Sequence, residues 1–477
     1  MQDKIGKNTI YSIIKSCSTV IFPLITFPYI SRVLLAENVG KINFGNSVVS
    51  YFSLIASLGI TTYAVRECSK VKKDKSTLNK LASEIMSINF LTTIVSYVLL
   101  IIVLIFAKPL YSYRKLIIIQ STVIVFTTFG ADWLNTTMED FRFITLRTFF
   151  FQCLSIILMF IFVKRPSDYL KYACVTVISS SGGNIANIFY RRKYCDTKLT
   201  INLNFRKHMP PIILLFAMIL AQQIFVNSDT TILGLLRGDY EVGIYSTSVK
   251  IYTIINTVIT SIAWVVMPQL SYAFSKQDFK KANILLKYVI GFTATLGLPC
   301  VAGMGILAPQ IIEIIAGSSF LDASISLRIL AIAMFFSLAW GIVMNMILLP
   351  SGYDKACLFA CAVSAIINIV TNLMFIPIYG FVAAAITTAI SQIIGFLICL
   401  YYIDDRIEIE NFLSIIKGPF LGTFFISLYL LVITKYNFGV WSTTIVGIIG
   451  SLVLYFIIQI VLKNEWLLEF LRKNRMV

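Results

Sequence analysis

Apolar runs of about 20 residues recur from one end of this chain to the other, each long enough to cross the roughly 30 Å of hydrocarbon in a bilayer. In that solvent every backbone N–H and C=O must be satisfied within the protein, so runs of this length can only be helices. Composition agrees. Of 477 residues 58% are hydrophobic and 13% are charged, whereas a soluble domain carries about a quarter charged residues. The expected fold is all-α: a polytopic membrane protein of about fourteen transmembrane helices, the first at 9–31 and the last at 440–462. No connection is long enough to hold a folded soluble domain.

The formal net charge is +17. Its lysines and arginines lie in short connections between apolar runs, a pattern that orients a membrane protein and does not form the basic face a nucleic acid needs. With the N-terminus placed inside, the inner termini and loops carry more than twice the Lys and Arg of the outer loops. Both termini are therefore expected in the cytoplasm, with an even number of spans. The most basic connections are 66–83 and 190–210. The nine cysteines form no CxxC pair and His208 is the only histidine, so neither a metal site, a cofactor nor a histidine-based triad is expected. The N-terminus runs directly into a span with no small-residue cleavage site, and is read as retained.

A weak repeat divides the first twelve spans into two sets of six. "LLAENVGKINF" (34–44) leads into span 2 (44–65), and "LLRGDYEVGIYS" (235–246) leads into span 8 (243–267). Both read Leu-Leu, a polar turn, Val-Gly, then a span. The expected organisation is an N-lobe at 1–195, a C-lobe at 196–402 and two further spans with a tail at 403–477. Six spans per half give the lobes the same orientation.

Each repeat carries a polar stripe at helical spacing. Span 2 has Asn43, Asn46, Ser50, Ser53 and Ser57; span 8 has Ser246, Lys250, Thr253, Thr257 and Thr260. Such faces avoid lipid and turn toward a neighbouring helix or a water-filled cavity. Ser/Thr contacts between packed helices are the plain alternative. Charges inside spans are the sharper signals. Lys15 lies about two turns into span 1, where snorkelling to the interface is the simpler account. Asp229 in span 7 and Lys250 in span 8 fall at similar depth, as a structural ion pair or as a working pair. Arg66 closes span 2 on the inner side, where positive charge is expected in any case. Pro23 and Pro28 each remove a backbone hydrogen bond from span 1 and mark a candidate gate.

"FPLITFPYISRVLLAENVGKINF" (22–44), "GITTYAVRECSK" (59–70), "DWLNTTMEDFRFITLR" (132–147) and "NSDTTILGLLRGDYEVGIYSTSVKIYTI" (227–254) resemble the polysaccharide repeat-unit flippases of the Wzx type. The segment 348–391 is similar to spans 11–12 of that family. The resemblance extends through about residue 402, and it implies the multidrug/oligosaccharidyl-lipid/polysaccharide exporter fold, two six-helix lobes around a central cavity. It also implies alternating access and an undecaprenyl-diphosphate-linked glycan as substrate, handled among membrane lipids in a bacterial cytoplasmic membrane. Polysaccharide polymerase machinery is an associated partner, and Na+ or H+ a driving ion. On that reading Lys15, Arg66 and Lys250 meet the diphosphate, Asn43, Asn46, Ser50, Thr253 and Thr257 meet sugar hydroxyls, and Asp229 holds Lys250 or binds the coupling ion.

Three other readings compete. Lipid II flippases have fourteen spans, as counted here, but line their cavity with several arginines, which these spans are read as lacking. A cation-coupled drug antiporter prefers an acidic or aromatic lumen. A membrane polymerase or ligase needs a large outer loop with a nucleophile and base, and none is visible.

Overall fold

The computed structural model describes residues 2–201, 203–403, 412–436, 438–462 and 464, and the only regular elements among them are helices. The chain divides into two compact units, Met1–Gly243 and Ile244–Val477. The first unit contains α1 (Gln2–Ser57), α2 (Ile60–Val71), α3 (Lys75–Phe106), α4 (Arg114–Gly130), the one-turn α5 (Trp133–Thr137), α6 (Phe141–Phe162), α7 (Tyr169–Tyr190) and α8 (Phe205–Leu236). The unit boundary falls inside α9 (Asp239–Ser275). The second unit continues with α10 (Phe279–Ile306), α11 (Ala308–Ala316), α12 (Ala323–Ile342), α13 (Asp354–Tyr401), α14 (Phe412–Ile433) and α15 (Val440–Val461). The expected tail beyond α15 lies outside the described residues.

Among the described residues, eight helices are long and apolar enough to cross a membrane, or nine if the bent pair Asp239–Ser261 and Val266–Ser275 is one span. Two of the eight, Cys17–Val71 and Asp354–Tyr401, run for 55 and 48 residues, more than one crossing needs. Each holds two expected spans; Cys17–Val71 is broken at Leu35 (φ 63°) and again at the Leu58–Gly59 turn between α1 and α2, and Asp354–Tyr401 at Gly380 (φ 56°). Across the Gly380 corner, Thr387 donates to Asn372 Oδ1 at 2.5 Å and Asn372 donates to Asn368 Oδ1 at 3.1 Å, all three buried.

The helices outrun their hydropathy. α1 resumes directly after Leu35 and includes 36–43, read above as a connection, where Lys41 and Glu37 pair at 2.8 Å one turn apart. An apolar window marks the part of a helix inside hydrocarbon, while the hydrogen-bonded ladder continues into water as long as the residues tolerate it. The connection expected at 66–83 shrinks to the turn between α2 and α3 for the same reason. Asp74, Asp140, Asn204 and Asp278 cap α3, α6, α8 and α10, each accepting a backbone N–H from the first turn. α1 is helical through both Pro23 and Pro28, and its break comes later, at Leu35.

In the first unit α1 packs against α3, α4, α6 and α8, and α7 packs against α4 and α6. α8 therefore groups with the preceding helices, so the compact unit runs past the lobe boundary expected at 195. In the second unit α12 packs on α13 and α10, and α14 and α15 pack on each other and on α10 and α11. The two added helices are thus integral to that unit, where Tyr455 donates to the Thr295 carbonyl at 2.8 Å.

The repeated Val-Gly steps meet inside the first unit. A Cβ on Gly40 would lie 1.8 Å from the Asp239 carbonyl oxygen, and one on Gly243 would lie 2.0 Å from that of Ala36. Each glycine faces the carbonyl of the residue four positions before the other glycine, a local two-fold relation. No other residue fits either place without driving the helices apart. Tyr113 closes the contact from the side, donating to Asp239 at 2.5 Å. We expect Gly40→Ala and Gly243→Ala each to destabilise the purified protein by about 2 kcal/mol or more. Gly303→Ala in α10, whose added Cβ meets nothing within 4 Å, should be neutral or stabilising by up to about 1 kcal/mol. Thermal unfolding of the three variants in one detergent checks both.

Candidate functional site

A cavity of ≈ 390 Å³ opens within the first unit. Its walls come from both halves of α1 and from α2, α3, α4, α6 and α7. Ser53 and Ser57 of α1, Asn89 of α3, Thr127 and Thr128 of α4, and the Ser179–Ser180 and Gly183–Asn184 steps of α7 supply a lining of hydroxyls and amides. Three charges complete it: Lys15, Asp132 and Arg147. The polar run in the middle of α7, anomalous for a membrane helix, is explained by the face it presents here.

Arg147 is the best-fixed of these groups. It is 8% exposed, pairs with Asp132, and donates to the Gly183 carbonyl at 3.2 Å. Its guanidinium also lies 5.5 Å from the centre of the Phe143 ring, and its Nε is buried without an acceptor. Behind Asp132 stands a second layer. Asn135 donates to Asp132 at 3.3 Å and to Asn187 at 2.6 Å, and Asn187 donates to the Gly130 carbonyl at 2.6 Å. Asn135 and Asn187 are fully buried, so the amides hold the acid in place and the acid holds the arginine. With Lys15 added, the cavity carries one net positive charge in low-dielectric surroundings, where it acts strongly on an anion.

The expected site residues divide. Lys15 lines the cavity, together with Ser53 and Ser57 from the same stripe as Asn43, Asn46 and Ser50; those three lie elsewhere, with Asn46 exposed and Ser50 bonded to the Ser47 carbonyl at 2.6 Å. Arg66 is exposed, pairs with Glu67 at 3.0 Å and lies 5.7 Å over the Tyr63 ring, outside the cavity wall. Asp229 is buried in α8. In the second unit Lys250 is half-buried on α9, and the exposed Thr253 and Thr257 donate to carbonyls one turn back in their own helix.

Asp132 and Arg147 were missed. Both lie in the stretch 132–147 quoted above, and Arg147, under two turns into α6, puts a single arginine in the cavity wall. The usable signal was an acid and a base each set against an apolar run, since charges inside a membrane protein are functional candidates by default. His208 was also misplaced in a connection. It is fully buried at the start of α8, bonded to Tyr63 at 2.7 Å through Nδ1 and to Glu84 at 2.8 Å through Nε2, tying α2, α3 and α8 together. No group of His, Cys, Asp and Glu suited to a metal occurs among the described residues.

Residues 5–274, more than half of the chain, match the family model described as "Polysaccharide biosynthesis protein". The chain is 22% identical over 380 residues to a putative O-antigen transporter of Shigella dysenteriae, covering 78% of this chain and 93% of that protein. It is 24% identical over 412 residues to the capsular polysaccharide biosynthesis protein CapF of Staphylococcus aureus, covering 84% and 99%. Among solved structures, the lipid II flippase MurJ in an inward closed conformation superposes with a TM-score of 0.77 at 18% identity, over 96% of this chain and 100% of that one. An inward-facing multidrug resistance MATE family transporter of the MOP superfamily gives 0.59 at 15%, over 83% and 94%. The fold is the one these transporters share.

Removing Asp132 should leave the Arg147 charge buried and unpaired. Asp132→Ala is expected to destabilise by about 2 kcal/mol, less than for a fully buried pair because Asp132 is partly exposed. Adding Arg147→Met should recover most of that loss, as read by thermal unfolding of the single and double variants.

Proposed function

The chain belongs to the polysaccharide biosynthesis protein family, and from that membership and the cavity of its first unit we propose that it is a flippase for lipid-linked oligosaccharide repeat units. The observation that carries the reading is a net-positive, hydroxyl-rich cavity inside an apolar helical bundle. An undecaprenyl-diphosphate glycan has one compact anionic group and many sugar hydroxyls, neither of which enters hydrocarbon unaided. Lys15 and Arg147 supply charge-assisted hydrogen bonds to the diphosphate, and the unmatched Arg147 Nε is one donor left for it. Ser53, Ser57, Asn89 and the α7 hydroxyls exchange hydrogen bonds with sugar in place of water. The prenyl tail stays in lipid.

Lys250 is the second cation in this scheme, with Arg66 a collector at the inner end, and Asn43, Asn46, Ser50, Thr253 and Thr257 further sugar contacts. Asp229 takes the coupling Na+ or H+, and the stretch of α1 with Pro23 and Pro28 gates access. The repeats 1–195 and 196–402 are the alternating parts, with 403–477 appended. The membrane is the bacterial cytoplasmic membrane, crossed about fourteen times with both termini inside, and the flipped unit passes to polymerase machinery.

The test is flipping of a prenyl-diphosphate oligosaccharide in proteoliposomes. Lys15→Ala and Arg147→Ala should each slow flipping about tenfold or more, the loss of one charged hydrogen bond, while Lys15→Arg keeps most of the rate. Export of cationic dyes without any flipping would assign the protein to drug antiport instead.

A further inference from the structure

A second polar pocket of the first unit, about 650 Å³, lies apart from the cavity, where α3 begins and α7 ends. Four cations line it: Lys80 of α3, Arg191 and Arg192 just after α7, and Lys198. Arg191 is 8% exposed, and among the described residues its only side-chain hydrogen bond goes from Nη1 to the thioether of Met86 at 3.0 Å. A guanidinium so buried is ordinarily matched by a carboxylate. Asp196 lines the same pocket, but it is exposed and forms no ion pair with any of the four among the described residues.

The rest of the wall is built to donate. Residues 196–200 run along α3 without regular structure of their own, hung on one helical stripe. The backbone N–H groups of Asp196, Lys198 and Thr200 donate to Asn79 Oδ1 at 3.1 Å, Ser83 Oγ at 3.1 Å and Ser87 Oγ at 2.8 Å. Every second N–H of the segment thus meets every fourth residue of the helix. The arrangement engages the acceptor oxygens of Asn79 and Ser83, which both line the pocket, and leaves their amide N–H and hydroxyl hydrogens to donate.

We propose that this pocket is a binding site for a phosphoryl group, distinct from the cavity that holds Lys15 and Arg147. The Arg191 fork meets two of its oxygens, Lys80, Arg192 and Lys198 neutralise its charge, and Asn79 and Ser83 donate to the remaining oxygens. A lipid headgroup phosphodiester and a soluble phosphate share this chemistry, and the two are separable by experiment.

Binding is measured by thermal shift on the full chain in detergent, titrating inorganic pyrophosphate in one arm and short-chain phosphatidylglycerol in the other, with phosphatidylcholine as the uncharged reference. Saturable stabilisation by one of the two anions is expected. Arg191→Gln should weaken it about tenfold, the loss of a charged hydrogen bond. Arg192→Ala with Lys198→Ala, a pair of exposed changes that spare the fold, should weaken it comparably. The weakening by both pocket variants should persist when it is measured in a Lys15→Ala background, which separates this pocket from the cavity. Equal affinity with and without the pocket changes in that background, or no saturable binding of either anion there, would overturn the proposal.

Discussion

Within the first unit, α1 and the first residues of α9 lie backbone against backbone, because Gly40 and Gly243 each occupy the place where a side chain would strike a carbonyl of the other segment. Lipid tails are as apolar as leucine, so helices in a membrane gain little from hiding apolar surface from each other and depend on close packing. This contact sets the residues Asp239–Gly243 beside the second half of α1, and α8 reaches the same helix at Gly234, beneath the Phe44 ring. The polar contacts of that region, Tyr113 with Asp239 and Thr231 with Ser47, have their registers set by it.

The cavity shows what the remaining polar side chains are for. Most hydroxyls in these helices bond to a carbonyl one turn back and ask for nothing further, as Thr371 does with Ile367 at 2.7 Å. The Asp132–Arg147 pair differs because its support is layered. The fully buried Asn135 donates to the acid and to Asn187, which in turn donates to the Gly130 carbonyl, while Asn135 Oδ1 is buried without a donor. A layer of that kind orients a charge, and an oriented charge in a low-dielectric cavity is how a membrane protein presents itself to an anion that lipid excludes.

Much of the fold could be read from the sequence because a single quantity, apolar run length, reports on one constraint, the thickness of hydrocarbon. It failed where that constraint ends. The helix through 36–43 and the start of α8 lie beyond the apolar windows, and nothing in hydropathy says whether the ladder continues. The Val-Gly repeat could be seen, but its meaning could not, since a glycine's reason lies in the neighbour that approaches it. For the cavity, spacing found Lys15, Ser53 and Ser57, which share helical faces with other polar residues. Asp132 and Arg147 are far apart in spacing and meet only through the turn that carries α5. His208 was invisible for a similar reason: its partners, Tyr63 and Glu84, come from two other helices.

The corner in α13 has a mechanical consequence. Gly380 gives the chain its turn, and a glycine between two helices would ordinarily be a joint. Here Thr387 reaches back across the turn to Asn372, and both side chains are buried. Swinging one half against the other would break that bond between two buried polar groups. The bend is therefore a bracket rather than a hinge: both arms of α13 travel as one stiff angle, and any motion of the second unit has to be taken up at its other connections.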